Sequence, residues 1–154
     1  RPMYPVKHGY ASFTRGILFE KDIESFTRED LEKYFNIYNV KWIVSWFPKS
    51  KDFFCRFPDY ITKIADIDKF SVYVVNRHPS YFLKGKGTIS SDYNRIDLTN
   101  VQAQDGEIII AYHWMKKLRA VPDAIIEPVH LAGDPVGFIK IKNPPEAFAL
   151  INAY

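Results

Sequence analysis

The chain has 154 residues, 47% of them hydrophobic and 25% charged, enough for one good core or two small ones sharing an interface. Its net charge of +3 arises wholly in residues 1–80 and the signs are interspersed, so no Lys/Arg stripe marks the chain for nucleic acid. The single cysteine, Cys55, excludes an intrachain disulfide framework and any multi-cysteine metal site, and no stretch approaches the roughly 20 apolar residues of a membrane span.

The start, Arg1-Pro2-Met3-Tyr4, has no apolar signal region and no initiator Met. We therefore expect a piece of a longer protein. Aromatic residues are abundant and uneven, with 17 in residues 1–80 and 8 in residues 81–154. Bulky rings suit a thin core, and a minority of them can face a ligand or partner.

Residues 1–19 mix turn residues with rings (Tyr4, Gly9, Tyr10, Gly16) and suggest a short strand near Ile17-Leu18-Phe19. Thr27-Arg28-Glu29-Asp30 reads as a helix start, with Thr27 as cap and Asp30 in the reciprocal position. Leu31, Tyr34, Phe35 and Tyr38 then fall at i, i+3, i+4 and i+7, which predicts one apolar helical face, and Asn39 ends the helix. Val40 to Trp46 is β-branched and aromatic and predicts a mostly buried strand stopped by Pro48. Ser50 to Phe57 suggests a helical turn carrying Phe53, Phe54 and Phe57. Ile61–Ile67 and Phe70–Val75 are separated by Asp68-Lys69, which is hairpin spacing.

His78-Pro79-Ser80 reads as a seam. Beyond it the pattern changes to short strands over residues 94–98, 106–114, 124–131 and 136–142. Turn chemistry separates them at Ser90-Ser91-Asp92, Gln104-Asp105-Gly106, Gly133-Asp134-Pro135 and Asn143-Pro144-Pro145. The expected fold is α+β: a small α/β subdomain over residues 1–79, followed by an antiparallel β-sandwich over residues 80–154, packed together as one compact unit.

The search for chemistry returns little. His8, His78, His113 and His130 have neither helical i, i+4 zinc spacing nor alternate spacing along one strand. His113 stands out because it lies inside a strand. Ile108, Ile110, Tyr112 and Trp114 share one face of that strand, which reads as core, while Glu107, Ile109, Ala111 and His113 share the other, within reach of a carboxylate. Cys55 lacks the flanking glycines of a catalytic nucleophile elbow, and no Gly-x-Ser-x-Gly is present. Lys84-Gly85-Lys86-Gly87 lacks phosphate-loop spacing and reads as a turn or bulge. The candidate ligand-binding residues are thus rings and polar groups at strand ends and loop tips: Trp114, His113, Tyr93, Tyr81, Asp92, Asn94 and Asp134. Rings stack on sugar faces, and Asp and Asn satisfy hydroxyls.

Three segments together carry a resemblance. They are Asn39-Val40-Lys41-Trp42-Ile43-Val44 after an amphipathic helix, the hairpin from Asp66-Ile67 through Phe70-Ser71-Val72-Tyr73-Val74-Val75, and Asn94-Arg95-Ile96 leading to Asp105-Gly106-Glu107-Ile108-Ile109-Ile110-Ala111-Tyr112. In this order the chain resembles the C-terminal extracytoplasmic region of bacterial multi-pass membrane proteins related to GT-C glycosyltransferases and to YfhO-type membrane proteins. In such sandwiches Gly-Trp-x-Ala often follows the long strand; here the stretch is Lys117-Leu118-Arg119-Ala120. The resemblance implies a non-catalytic accessory domain, tethered at the extracytoplasmic face of a bacterial membrane as part of a larger membrane protein. The residues themselves suggest no cofactor and no metal; the resemblance, together with the rings at loop tips, suggests a glycan or lipid-linked sugar as ligand. A second expectation is a docking module with an apolar patch around Trp46, Phe47, Phe53 and Phe54. A third is a small hydrolase using Cys55 or His113.

Overall fold

The computed structural model describes residues 16–152; the readings made of residues 1–15, His8 among them, lie outside the described residues. The described chain is mostly antiparallel β-sheet with two short helices. It divides between Pro79 and Ser80 into two compact units.

The first unit opens with strands β1 (Ile17–Leu18) and β2 (Lys21–Asp22). They are joined by Phe19 and Glu20, both at positive φ, a backbone that usually selects Asn-Gly. Phe19 is held there by its ring, which stacks at 4.9 Å on both Tyr34 and Tyr38. Helix α1 (Arg28–Ile37) starts with the expected reciprocal cap. The Asp30 N–H donates to Thr27 Oγ1 and the Thr27 N–H donates to Asp30 Oδ2, each at 3.1 Å. The Thr27 N–H and the Thr27 hydroxyl, both donating to its Oδ2, hold the Asp30 carboxyl below its usual range. At the other end Asn39 adopts φ 51°. The Val40 N–H reaches back to Phe35 O and the Asn39 N–H to Asn36 O, a Schellman closure that satisfies the last carbonyls. Leu31, Tyr34, Phe35 and Tyr38 are all buried.

Strands β3 (Trp42–Ser45), β4 (Ile61–Ile67) and β5 (Phe70–Val75) form an antiparallel sheet in the order β3-β5-β4. Helix α2 (Pro48–Phe54) lies between β3 and β4 in the chain, and Pro48, expected only as a strand stop, starts it. The hairpin turn places Asp68 at φ 53°. The α/β expectation for this part is met only loosely, since its strands pair antiparallel and its helices are short.

Two expectations are corrected. The strand after Val40 is not mostly buried: Ile43 and Ser45 point inward, but Trp42 is 60% and Val44 50% exposed. Alternation puts every second residue on the other face, where Trp42 and Val44 stay exposed among the described residues. Of the four rings expected to form an apolar patch, Phe53 and Phe54 are buried instead, with Phe54 against Tyr73 at 5.7 Å, while Trp46 and Phe47 are half-buried.

Two cations clip α1 to the end of β5. Arg77 donates to the side-chain oxygens of Asn36 and Asn39 and to Val40 O, and Lys41 Nζ donates to the carbonyls of Val75 and Arg77. Burial pushes the Arg77 guanidinium below its usual pKa.

The second unit is a sandwich of two four-stranded antiparallel sheets. One has the order β11 (Ile125–Val129), β12 (Phe138–Lys142), β9 (Glu107–His113), β6 (Phe82–Lys84). The other has the order β10 (Leu118–Val121), β13 (Phe148–Asn152), β8 (Arg95–Gln102), β7 (Lys86–Asp92). Ile108, Ile110 and Ile141 from the first sheet pack with Leu98, Phe148 and Leu150 from the second. Each such side chain contributes about 1.5–3 kcal/mol when fully buried.

The four expected strands are all present. Ser90-Ser91-Asp92, expected as a turn, belongs to β7, and β6, β10 and β13 are additional. Gly85 is where the chain leaves one sheet for the other, at φ 80°, and a Cβ there would lie 2.7 Å from Ile108 Cγ2. Pro128 is tolerated in β11 because β11 is an edge strand.

Tyr73 is buried on the inner face of the three-stranded sheet, and its hydroxyl has no hydrogen-bond partner among the described residues. The neighbouring Ser71 hydroxyl donates its hydrogen to Asp66 at 2.5 Å, and burial pushes the Tyr73 hydroxyl pKa up, with Ser71 opposing that shift. An unmade hydrogen bond in the interior costs stability, so Tyr73→Phe should leave the unfolding free energy unchanged or raise it by about 1 kcal/mol. Urea unfolding checks this; a loss above about 1 kcal/mol would mean that the hydroxyl is engaged.

Candidate functional site

The candidate residues are scattered from Tyr81 to Asp134, yet strand register brings them to one end of the sandwich. Asp92 and Arg95 close the β7–β8 hairpin, leaving Tyr93 and Asn94 at its tip. His113 ends β9 and pairs with Phe138, the first residue of β12. Asp134 lies in the β11–β12 connection, and Trp114 follows β9. Tyr81 enters from before β6, with its carbonyl accepting the Ala111 N–H at 2.8 Å.

The hairpin tip is built by its own polar groups. Asp92 Oδ1 accepts the Tyr93 N–H at 2.7 Å. Asn94 Nδ2 donates to the Asn152 carbonyl at 3.1 Å, tying the tip to the end of β13. The Tyr93 ring is 92% exposed. Beside this hairpin Tyr81, itself exposed, packs one side of its ring on Tyr112, with centroids 5.3 Å apart. The Tyr112 hydroxyl donates across the sandwich to Ser91 Oγ at 3.2 Å. Burial raises the Tyr112 pKa, and the Ser91 bond opposes that shift.

A second cluster is internal. His113 Nε2 lies 3.3 Å from Asp134 Oδ2, and both side chains are almost wholly buried. Asp134 Oδ1 also accepts the Val136 N–H at 2.8 Å. The Asp134 carbonyl lies 3.2 Å from His130 Nδ1; a carbonyl only accepts, so that nitrogen carries the hydrogen. The turn that presents Asp134 is tight, with the Asp134 N–H bonded to Leu131 O and with Ala132 and Gly133 both at positive φ. His113 is thus on the expected outer face of β9 and has the expected carboxylate, but the connection over it removes both from solvent. The pair pins the β11–β12 connection onto the sheet.

Trp114 is half-buried and packs against the sandwich interior, so its ring is partly structural. The opposite end of the sandwich is self-neutralised. Lys84 bonds Glu107 and Asp105, and Glu127 bonds Lys142 and Lys140. Lys84 holds the Glu107 carboxyl below its usual range, and Lys142 with Lys140 does the same for Glu127.

Cys55, in the other unit, is exposed at the C-terminal end of α2, with no hydrogen bond to a histidine among the described residues. No group of three His, Cys, Asp or Glu side chains among the described residues is placed to hold a metal ion. Tyr112 and Ser91, which support Tyr81, were not singled out from the sequence. The alternation of β9 shows Tyr112 to be inward-facing, but only the tertiary structure supplies its partner on the other sheet.

Compared with known protein families, with curated proteins and with solved structures, the chain matches none.

Removing the Asp134 carboxylate strands a buried imidazole and frees a backbone N–H. Asp134→Ala should therefore cost about 2–3 kcal/mol of unfolding free energy, and Asp134→Asn clearly less. Urea unfolding of the two variants measures the difference; near-equal, small losses would show that the pin is not holding the connection.

Proposed function

We propose that this chain is a non-catalytic accessory domain that binds glycan through the β7–β8 end of its sandwich. The setting implied by the resemblance is the extracytoplasmic face of a bacterial membrane, on a glycosyltransferase-like parent protein. One observation carries the reading. The Tyr93 side chain is almost fully exposed on a hairpin tip held by hydrogen bonds of both of its neighbours, Asp92 and Asn94. The tied backbone lowers the cost of ordering the tip when a sugar face stacks on this ring. Asp92 spends one of roughly four acceptor sites on the turn, and Asn94 spends one amide hydrogen, so both retain capacity for sugar hydroxyls. Tyr81, with its ring 39% exposed, widens the apolar surface beside the tip. The chemistry is stacking and hydroxyl recognition, with no covalent step. The small α/β part then serves as a companion element rather than as a ligand site.

A glycan array followed by calorimetric titration of the strongest hit tests this. Tyr93→Ala should lower affinity at least tenfold while leaving stability within about 0.5 kcal/mol, as for an exposed surface residue. Trp114→Ala should instead lower stability, because its ring packs on the interior. Wild-type protein that binds no glycan, or binding that survives Tyr93→Ala, would overturn the proposal.

A further inference from the structure

The β7–β8 hairpin tip has a neighbour on its own sheet. Asn94 Nδ2 donates to the Asn152 carbonyl at 3.1 Å, and Asn152 pairs with Leu118, the first residue of β10. Asn94, Asn152 and Leu118 thus lie in one row, and β10 begins two strand spacings, about 10 Å, from the tip. Immediately before Leu118 the chain makes the turn that leads out of β9, closed by the Leu118 N–H on Met115 O at 3.1 Å. Lys116 and Lys117 occupy its corners, and both are exposed. Arg119 follows on β10 and is also exposed. Leu118 and Ala120 face the interior, so alternation puts Arg119 on the outer face of the sheet, in a register row with Ile151 and Arg95.

Lys116, Lys117 and Arg119 have no carboxylate, hydrogen-bond or ring partner among the described residues. The other cations of the sandwich are mostly paired: Lys84 with Glu107 and Asp105, Lys140 and Lys142 with Glu127, and Arg95 with Asp97. Lys86 is unpaired too, but it starts β7 opposite Gln102, at the far end. The carboxylates near the tip do not offset the three cations. Asp134 is buried against His113, Asp97 is held by Arg95, and Asp92 gives one oxygen to the Tyr93 N–H. The candidate ligand end therefore carries an excess of positive charge beside an exposed ring, and a neutral sugar gives that charge nothing to meet.

We propose that the ligand of this end is an anionic glycan, a sugar chain bearing carboxylate or phosphate groups. The inference rests on the glycan-binding reading above and adds the charge of the ligand to it. The Tyr93 ring stacks on an uncharged sugar face, and the cations meet the anionic group about 10 Å away across the sheet, a span that a short oligosaccharide covers. The two lysines act as point charges that accept either anion, and Arg119 adds a planar fork that suits both. Cations clustered at one end also draw an anionic ligand to that end and raise the rate of encounter.

A glycan array with neutral, uronic-acid and phosphate-bearing sugars tests it, followed by titration of the full chain with the strongest anionic hit and its neutral counterpart. That counterpart is the methyl ester of a uronate or the dephosphorylated form of a sugar phosphate. The anionic form should bind about fivefold or more tightly than the neutral one. Lys116→Gln with Lys117→Gln should lower affinity for the anionic form about fivefold, the effect of losing two exposed ion pairs, and leave the neutral form unchanged. Arg119→Gln should act in the same direction, while Lys86→Gln, at the far end, should change neither. Raising salt from about 0.1 M to 1 M shortens the screening length from about 10 Å to 3 Å and should remove the preference. Uronates among the hits assign the charge to a carboxylate and sugar phosphates to a phosphate, and either supports the proposal. Neutral glycans bound as tightly as anionic ones, through Tyr93, would overturn it and leave the glycan-binding reading standing; no binding to any member of the array would overturn both. An anionic preference that Lys86→Gln weakens as much as the double variant does would also overturn it.

Discussion

Strand β9 is the constraint on which the sandwich depends. It is hydrogen-bonded on both sides, to β12 and to β6, and its inward row of Ile108, Ile110 and Tyr112 is buried against the second sheet. With a period of two, a one-residue slip would turn Glu107 and His113 into the interior and the isoleucines out. The register of β9 therefore sets that of its neighbours, and through them it sets which loops meet at which end. Gly85 belongs to the same constraint, because the chain can change sheets beside Ile108 only where there is no Cβ.

The two ends of the sandwich differ in how their polar groups are used. At the Glu107 end, acids and bases satisfy one another in a surface network of the kind that contributes little to stability and offers little to a ligand. At the His113 end, one carboxylate is withdrawn into the interior to pin a connection, while the hairpin tip presents Tyr93 on tied neighbours. Burying Asp134 with its partners trades desolvation for a defined loop path. The solvent-facing groups at that end include the Tyr93 ring with Asp92 and Asn94 beside it. The first unit shows a different division, with one sheet face spent on folding and the other left uncharged.

Local signals were legible wherever a short stretch satisfies itself. The Thr27–Asp30 cap, the helical face from Leu31 to Tyr38, the Asn39 terminus and the hairpin from Ile61 to Val75 all rest on contacts within a few residues. Signals failed where a partner from elsewhere decides. Val40 to Trp46 has the composition of a buried strand, but only Ile43 and Ser45 are fully buried, and Trp42 and Val44 stay exposed. Ser90-Ser91-Asp92 has turn composition, yet pairing with β8 makes it strand. The polar residues of an exposed edge strand are not distinguishable from those of a turn by composition alone. The candidate site was legible as a set of residue types and not as an arrangement. His113 was placed on its face of β9, but its burial under the β11–β12 connection was not.

By itself the sequence determined the antiparallel, sandwich-like character of the second half, the capped helix of the first, and the absence of a recognisable catalytic motif. Each of these depends on periodicity, caps or spacing, which act over a few residues. Only the tertiary structure decided which of the candidate residues meet. It joined His113 to Asp134, set Tyr81 on Tyr112, exposed Tyr93, turned Trp114 toward the interior and left Trp42 and Val44 uncovered. Those outcomes depend on which strand lies beside which, and strand order follows from long-range burial that no local pattern encodes.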